Sequence, residues 1–377
     1  MAESIDHEHR PVTPSPTTVK RQPRRWRSIP LIVVGVLVIV MPAGVFVGNK
    51  ILHPPRTLAV AFSPDGHLLA SGSIDGTIKL WDAKYGTLIR TIQASQGDSG
   101  VVSVAFSPDG RLLAAGLNYY DEEYSPGHLE DGDGIKLWDV ASGKLLHMCC
   151  PNNVGSVQFS PDGRFLASGY GVSDIASGSL LFGADFGPVA VAWSPDGHLL
   201  AVSPLADEVL LLDASSGKTL RTLPGPGSGP LAFSPDGQIL AVEAWKCIRC
   251  SNLVGSISYG QESVQLWSVA SGKMLRTLFS ETGDGSAIAV TSVAFSPSGR
   301  VLATASRDTT IKLWDVQSGR LIRALTGHIS PVYSVAYSPD GRTLASSSSD
   351  LTWMVWADQT VKLWDVNTGG QLRTLSV

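Results

Sequence analysis

One four-residue phrase recurs along this 377-residue chain and limits how it can fold more than any other feature. Ser-Pro-Asp-Gly begins at Ser63, Ser107, Ser160, Ser194, Ser234 and Ser338, and Ser-Pro-Ser-Gly begins at Ser296. A short apolar run such as LAVAF, VSVAF or YSVAY precedes each copy, and another such as HLLASGS or RVLATAS follows it. Then come TIKLWD or a relative, a small turn such as VASGK or VQSGR, and a last run such as LIRAL. Apolar residues alternate or cluster within each run, and Gly, Pro, Asp or Ser stands at each break. That is the punctuation of short strands joined by tight turns, four strands to a unit.

A single four-stranded sheet of this size cannot bury both of its faces. Seven of them set radially can, each packing on the next around a central axis. The repeats resemble the WD-repeat β-propeller family, through LWD at Trp81–Asp82, Trp138–Asp139, Trp314–Asp315 and Trp364–Asp365. Weaker forms are LWS at Trp267–Ser268 and LLD at Leu212–Asp213. The resemblance covers residues 56–377 and implies an all-β, seven-bladed propeller. It also implies a buried hydrogen-bonded set in each blade: a Trp in the third strand, a Ser or Thr in the second, an Asp in the turn between them and a His before the first. Ser71, Asp75 and Trp81 match it in blade 1, Asp133 and Trp138 in blade 2, Trp267 in blade 5, and Thr304, Asp308 and Trp314 in blade 6. The last repeat alone matches in full, with His328, Ser346, Asp358 and Trp364. An indole N–H and a carboxylate need partners once water is gone, so this set reads as structural and His328 as part of it, not as a catalytic base.

Successive copies of the phrase are spaced by 44, 53, 34, 40, 62 and 42 residues. The shortest spacing marks blade 3 as degenerate. There SGSLLFGADFGPVAVAW runs almost straight into the next first strand, and the outer strand is expected to be missing. At the ends of the repeat array, PPRTLAVAF enters directly and GGQLRTLSV supplies the last blade's own outer strand. Ring closure is therefore expected to rest on packing between blades 1 and 7, with no exchanged strand.

The longer spacings record insertions. Turns between strands one and two, and three and four, open on one face and stay short. Turns between two and three, and the links between blades, open on the other face and hold nearly all the variation. They include 117–134, 171–178, 244–263, 280–290 and 350–357. Loops on a rigid scaffold usually carry function. Candidate partner-binding residues on this decorated face are Tyr119, Tyr120, Tyr124, Trp245, Lys246, Arg249, Trp353 and Trp356, since aromatic residues and Arg are favoured interface anchors. For any single aromatic residue, packing against a blade edge is the competing reading. DLTWMVWA (350–357) aligns with DQTVKLWD (358–365), so Trp353 and Trp356 lie in a tandem copy of the third strand. Two segments thus compete for one slot in blade 7.

Ahead of the repeats, residues 1–28 are rich in Pro, Thr and basic residues and read as a disordered cytoplasmic tail. Pro30–Gly48 runs 19 residues without a charge, enough for a membrane-spanning helix over 29–48. Residues 49–55 form a short linker. Lys20, Arg21, Arg24, Arg25 and Arg27 precede the apolar run, which orients the tail inward and the propeller outward. A cleaved signal peptide is the rival reading, disfavoured by the long tail and the poor small-x-small cleavage site.

The charge balance of 29 basic to 33 acidic residues gives no reason to expect nucleic acid. Four cysteines come as Cys149–Cys150 and Cys247–Cys250, and an outward location permits a Cys247–Cys250 disulfide. A four-thiolate zinc site would need blades 2 and 5 to meet. The acidic loop EDGDG (130–134) lacks the ligand spacing of a calcium loop. No nucleophile–base–orienter set, phosphate loop or metal-spaced His cluster stands out. The expectation is a non-enzymatic, membrane-anchored scaffold that binds a protein or peptide and needs no small-molecule cofactor. The alternative is a hydrolase-like propeller enzyme at the axial channel mouth, which would need carboxylates or His on the first strands.

Overall fold

The computed structural model describes residues 40–41, 44–47, 50–52, 57–95, 99–119, 134–149, 154–183, 190–204, 208–224, 229–249, 259–279, 290–349 and 358–376. The chain divides into Met1–Val38, which lies outside the described residues, and Ile39–Val377. Within the second unit, seven antiparallel four-stranded sheets are each built from strands consecutive in sequence. Blade 1 is typical, with strands Thr57–Phe62, Leu68–Ser73, Thr77–Asp82 and Leu88–Gln93. First strands neighbour one another in order around the ring, and Val332–Tyr337 of blade 7 meets Thr57–Phe62 of blade 1.

Position within a blade explains composition. Second strands lie between two neighbouring blades and are buried on both sides, as in Leu68–Ser73 and Val301–Ser306. Small residues there let the next blade approach. A Cβ on Gly72 would stand 2.5 Å from Val101 Cγ1, and one on Gly116 would stand 3.0 Å from Val154 Cγ1. Leu69, Leu113, Leu200, Leu240, Leu302 and Leu344 fill the same slot in six blades and are at most 1% exposed. Each contributes about 2 kcal/mol by leaving water. Outer strands are largely exposed, and five of them keep one buried anchor: Ile92, Leu223, Leu278, Leu325 and Leu375.

Blade 3 corrects one expectation. It has its outer strand, Leu180–Gly183, paired through Val172↔Phe182 and Gly171↔Gly183. The segment 171–178, expected as a loop, is a third strand, Gly171–Asp174, followed by the turn that DVASGK makes in blade 2. Ser173 takes the tryptophan position, which hid the strand from motif reading. The blade is shortened by strands of three or four residues.

Blade 7 resolves the duplicated segment. Its third strand is Thr360–Asp365, the second copy. The second copy ends in Asp365, whose carboxylate accepts the Thr368 N–H at 2.6 Å and fixes the following turn, whereas the first copy ends in Ala357.

The ring closes without strand exchange. Val60, Leu69 and Trp81 of blade 1 pack with Ala345, Val361, Leu363 and Leu375 of blade 7. The seam also carries polar links beyond packing: Val60 N–H donates to Ser334 Oγ at 3.3 Å, and Arg373 Nε donates to Lys84 O at 3.1 Å.

Ahead of the ring, Val40–Met41, Gly44–Val47 and Lys50–Leu52 pair as a small antiparallel sheet where the sequence suggested the end of a helix. Pro42 removes an intrahelical donor, and the Val-rich run favours extended backbone. Residues 29–39 lie outside the described residues. Among the described residues no helix is long and apolar enough to cross a membrane.

Candidate functional site

On the plain face, every Ser-Pro-Asp-Gly turn is built alike. Ser63 Oγ donates to Asp65 Oδ1 at 2.5 Å and accepts the Leu68 N–H at 2.8 Å. Gly66 then sits at φ 73°, a left-handed conformation that suits glycine. Each turn glycine lies against the proline of the preceding blade, as Gly110 does on Pro64 and Gly66 on Pro339. The Ser63 hydroxyl, aided by the His67 amide, holds the Asp65 carboxyl below its ordinary value. The Asp ending the third strand works similarly: Ser215 and Ser216 pull Asp213 down to about 2. These carboxylates are ionised turn caps, not groups poised to exchange protons near neutrality.

In blade 7, Trp364 Nε1 donates to Ser346 Oγ at 2.8 Å, and His328 bridges Ser346 Oγ and Asp358 Oδ2, each at 2.7 Å. The His328 ring meets the Trp364 ring edge-on at 5.8 Å. Blades 1 and 6 keep the shorter form, Trp81 to Ser71 at 2.9 Å and Trp314 to Thr304 at 3.0 Å. Asp75 and Asp308 hold the N–H groups of Thr77 and Thr310, and Asp308 also pairs with Lys312. Blade 5 substitutes Gln265, which accepts from Trp267 Nε1 at 3.1 Å. Trp138 is buried in blade 2, while Asp133 lies outside the described residues.

An axial cavity of about 640 Å³ opens among the first strands. Phe106, Phe159, Trp193 and Phe233 reach its wall, with Gln158 and Ser292 as polar members. Among the described residues no ionisable side chain lines it. Gln158 is itself engaged, accepting the Trp193 N–H at 2.8 Å through its side chain. Among the described residues no group of three His, Cys, Asp or Glu could hold a metal ion.

The decorated face is partly described. Tyr119 ends the long second strand of blade 2, Leu112–Tyr119. In blade 5 the segment expected as a loop extends the sheet instead. Ile239–Arg249 and Tyr259–Ser268 pair onward through Trp245↔Glu262, Lys246↔Gln261 and Arg249↔Tyr259. That β-arm brings Trp245, Lys246, Cys247 and Arg249 onto one strand. Tyr120, Tyr124, Cys250, Trp353 and Trp356 lie outside the described residues.

Two sets of interblade links escaped the sequence reading. In the first, a hydroxyl on one first strand accepts a backbone N–H of the next: Ser103 from Val157 at 3.1 Å, Ser156 from Val191 at 2.9 Å, Ser292 from Val335 at 3.3 Å. In the second, an outer-strand Arg crosses to a turn carbonyl of the following blade. Arg90 reaches Ala141 O and Arg221 reaches Ala270 O, both at 3.0 Å, and Arg276 reaches Gln317 O and Ser318 O at 2.7 and 2.8 Å. The Arg stem occupies the space a turn Cβ would need, 2.3 Å from Arg90 Nη1 at Gly143. The signal was present as an Arg recurring at the third outer-strand position, paired with a glycine in the next blade's turn.

The family description "WD domain, G-beta repeat" matches residues 52–82, 86–122, 143–174, 272–315 and 319–365, half of the chain. The chain is 34% identical over 163 residues to WD repeat-containing protein SL1-17 of Schistosoma mansoni, covering 37% of this chain and 54% of that protein. It is 28% identical over 267 residues to the transcriptional corepressor LEUNIG_HOMOLOG of Arabidopsis thaliana, covering 68% and 29%. It is 26% identical over 315 residues to the nuclear distribution protein nudF of Aspergillus niger, covering 73% and 63%. The chain spans about half the length of the first curated relatives it matches.

Proposed function

The chain belongs to the WD domain, G-beta repeat family, whose propellers are generally protein-interaction scaffolds, and from that premise we propose a membrane-held, non-enzymatic scaffold that binds a protein partner through its decorated face. The observation that carries this reading is the blade 5 β-arm, where strands of 11 and 10 residues replace the six-residue strands of blade 1. Strand pairing holds an arm more rigidly than an open loop, which lowers the ordering cost of docking. Trp245, Lys246 and Arg249 on the arm, with Tyr119, Tyr120, Tyr124, Trp353 and Trp356, are the proposed contact residues. Relatives named as a corepressor and a nuclear distribution protein accord with binding in preference to chemistry.

Membrane attachment is supported by sequence: an uncharged 19-residue run preceded by five basic residues. We place residues 29–48 at the membrane, the N-terminal tail on the cytoplasmic side and the propeller on the opposite side. The hydrolase-like alternative is disfavoured by a cavity wall whose described residues include no acid or base.

The test uses the full chain in detergent as bait for proteins of its source membranes, beside a variant with Tyr119, Tyr120, Trp245, Trp353 and Trp356 changed to Ala. Capture of one protein by the parent and its loss from the equally stable variant supports the reading. Equal capture by both moves the site to another face. Release of the chain by alkaline carbonate would refute membrane insertion.

A further inference from the structure

A cleft of about 840 Å³ opens between blades 4 and 5 on the plain face, away from the decorated loops. Leu199, Ile239, Val269 and Leu275 give it apolar walls, and Leu275 is 54% exposed. Asp196 and Asp236 line it as well.

The charge here differs from that of most plain-face turns. Blades 2, 3, 6 and 7 follow the turn glycine with Arg111, Arg164, Arg300 and Arg342, and Arg111 Nε stands 3.9 Å from Asp109 Oδ2. Blades 1, 4 and 5 carry His67, His198 and Gln238 at that position, and blades 4 and 5 are the adjacent pair without the Arg. Asp236 is kept ionised by the Ser234 hydroxyl and the Gln238 amide, with no neighbouring cation contributing. Blade 5 also ends its third strand in Ser268 where the other blades have Asp, so no third carboxylate joins these two on the blade 5 wall. Arg221 brings one positive charge to the same wall, where its guanidinium donates to Ala270 O at 3.0 Å, so the two carboxylates still outnumber it.

We propose that this cleft is a docking groove for an extended peptide segment of a protein partner, one that sets a Lys or Arg beside a Leu, Ile or Val. Charge complementarity selects the occupant: two carboxylates without a partnering Arg flank apolar walls, so a basic side chain meets the rim while an aliphatic one covers Leu275 and its neighbours. Rim charges of this kind govern encounter and salt dependence, and the apolar contact governs residence. The groove is distinct from the decorated face and is tested without it.

The probe is a displayed library of random peptides selected on the full chain in detergent. Selected peptides are expected to pair Lys or Arg with an adjacent aliphatic residue and to weaken as salt is raised. Their affinity is expected to fall about tenfold on the Asp196→Asn/Asp236→Asn double variant. An amide oxygen still accepts the turn hydrogen bonds, so those changes remove charge and keep the turns. Leu275→Glu, on an exposed side chain, challenges the same groove without touching a turn and is expected to lower affinity as much. Asp340→Asn, in blade 7, is the control and leaves binding unchanged. Selected peptides lacking basic residues, affinity unaltered in both groove variants, or a selection that enriches nothing would each overturn the proposal.

Discussion

His328 Nδ1 lies 2.7 Å from Asp358 Oδ2, and the contact completes a chain of hydrogen bonds that runs from Trp364 through Ser346. Burial favours the neutral imidazole, and in that state Trp364 donates to Ser346, Ser346 donates to His328 Nε2, and His328 Nδ1–H donates to Asp358. That order requires a neutral imidazole.

Stability should therefore depend on pH through this blade. Burial lowers the His328 pKa below 6.5, outweighing the opposing pull of Asp358, and Lys362 adds to the lowering. The unfolded chain then binds a proton that the folded chain refuses, so stability falls as pH drops below about 6.5. Burial would raise Asp358, but hydrogen bonds from His328 and Thr360 win and hold it below 3.8. Its contribution is present above that value and lost as pH falls through the folded pKa, so the two effects act in the same direction. Melting of the full chain should weaken from pH 7 to pH 5 and more steeply below pH 4. In His328→Phe the first decline should disappear; an identical decline would assign it elsewhere.

At the same site, Ser346→Ala leaves the Trp364 N–H and a His328 nitrogen without a partner, whereas Ser71→Ala strands only the Trp81 N–H. The expected losses are about 3 kcal/mol and about 1.5 kcal/mol, measured by denaturant unfolding. Equal losses would mean that His328 contributes nothing beyond the shorter pair.

Arg373 spans the one junction that no peptide bond joins, donating to Lys84 O. Arg373→Ala should cost about 1 kcal/mol and make blades 1 and 7 the first to be cleaved in limited proteolysis. Arg276→Ala removes two hydrogen bonds at a junction the chain already ties, and should leave that cleavage pattern unchanged.

Blade 3 should exchange its amide hydrogens fastest. His147 and Phe182 stand at the two junctions of blade 3 where other outer strands carry Arg, packing against Gly178 and Gly217. Short strands and weaker links give low local stability. Protection across 157–183 is expected to fall below that of 301–325; the reverse order would remove the Arg links from the account of ring rigidity.

The number of blades and the order of their strands were legible because a tight turn needs Ser, Asp and Gly at fixed places, and those letters repeat. Blade 3 was not, because its 34-residue spacing comes from shortened strands, not from a lost one, and Ser173 at the tryptophan position hides the third strand. The blade 5 arm was misread for another reason: Gly260 and Cys247 are poor strand markers, and pairing across an arm is decided by the partner strand. Charge at the blade 4–5 cleft could be read one residue at a time, as His198 and Gln238, but the cleft joining them could not, since it depends on how two blades meet.

The spare copy 350–357 gives the most direct test of how blade 7 is built. Excising it joins Ser348–Ser349 to Asp358–Gln359–Thr360, the same length as Ser73–Ile74–Asp75–Gly76–Thr77 of blade 1 and identical to it at the Ser, Asp and Thr positions. The strand that pairs with Leu344 and Ser346 is untouched, because it is Thr360–Asp365. One slot changes character. Gly76 has φ 76°, and Thr309 in the same slot of blade 6 has φ 70°, so Gln359 would be driven into the left-handed region. That conformation costs a non-glycine residue about 1–2 kcal/mol. The deletion should fold, melt slightly below the parent, and regain the difference with Gln359→Gly. A deletion that does not fold would mean that 350–357 supplies contacts the second copy cannot replace.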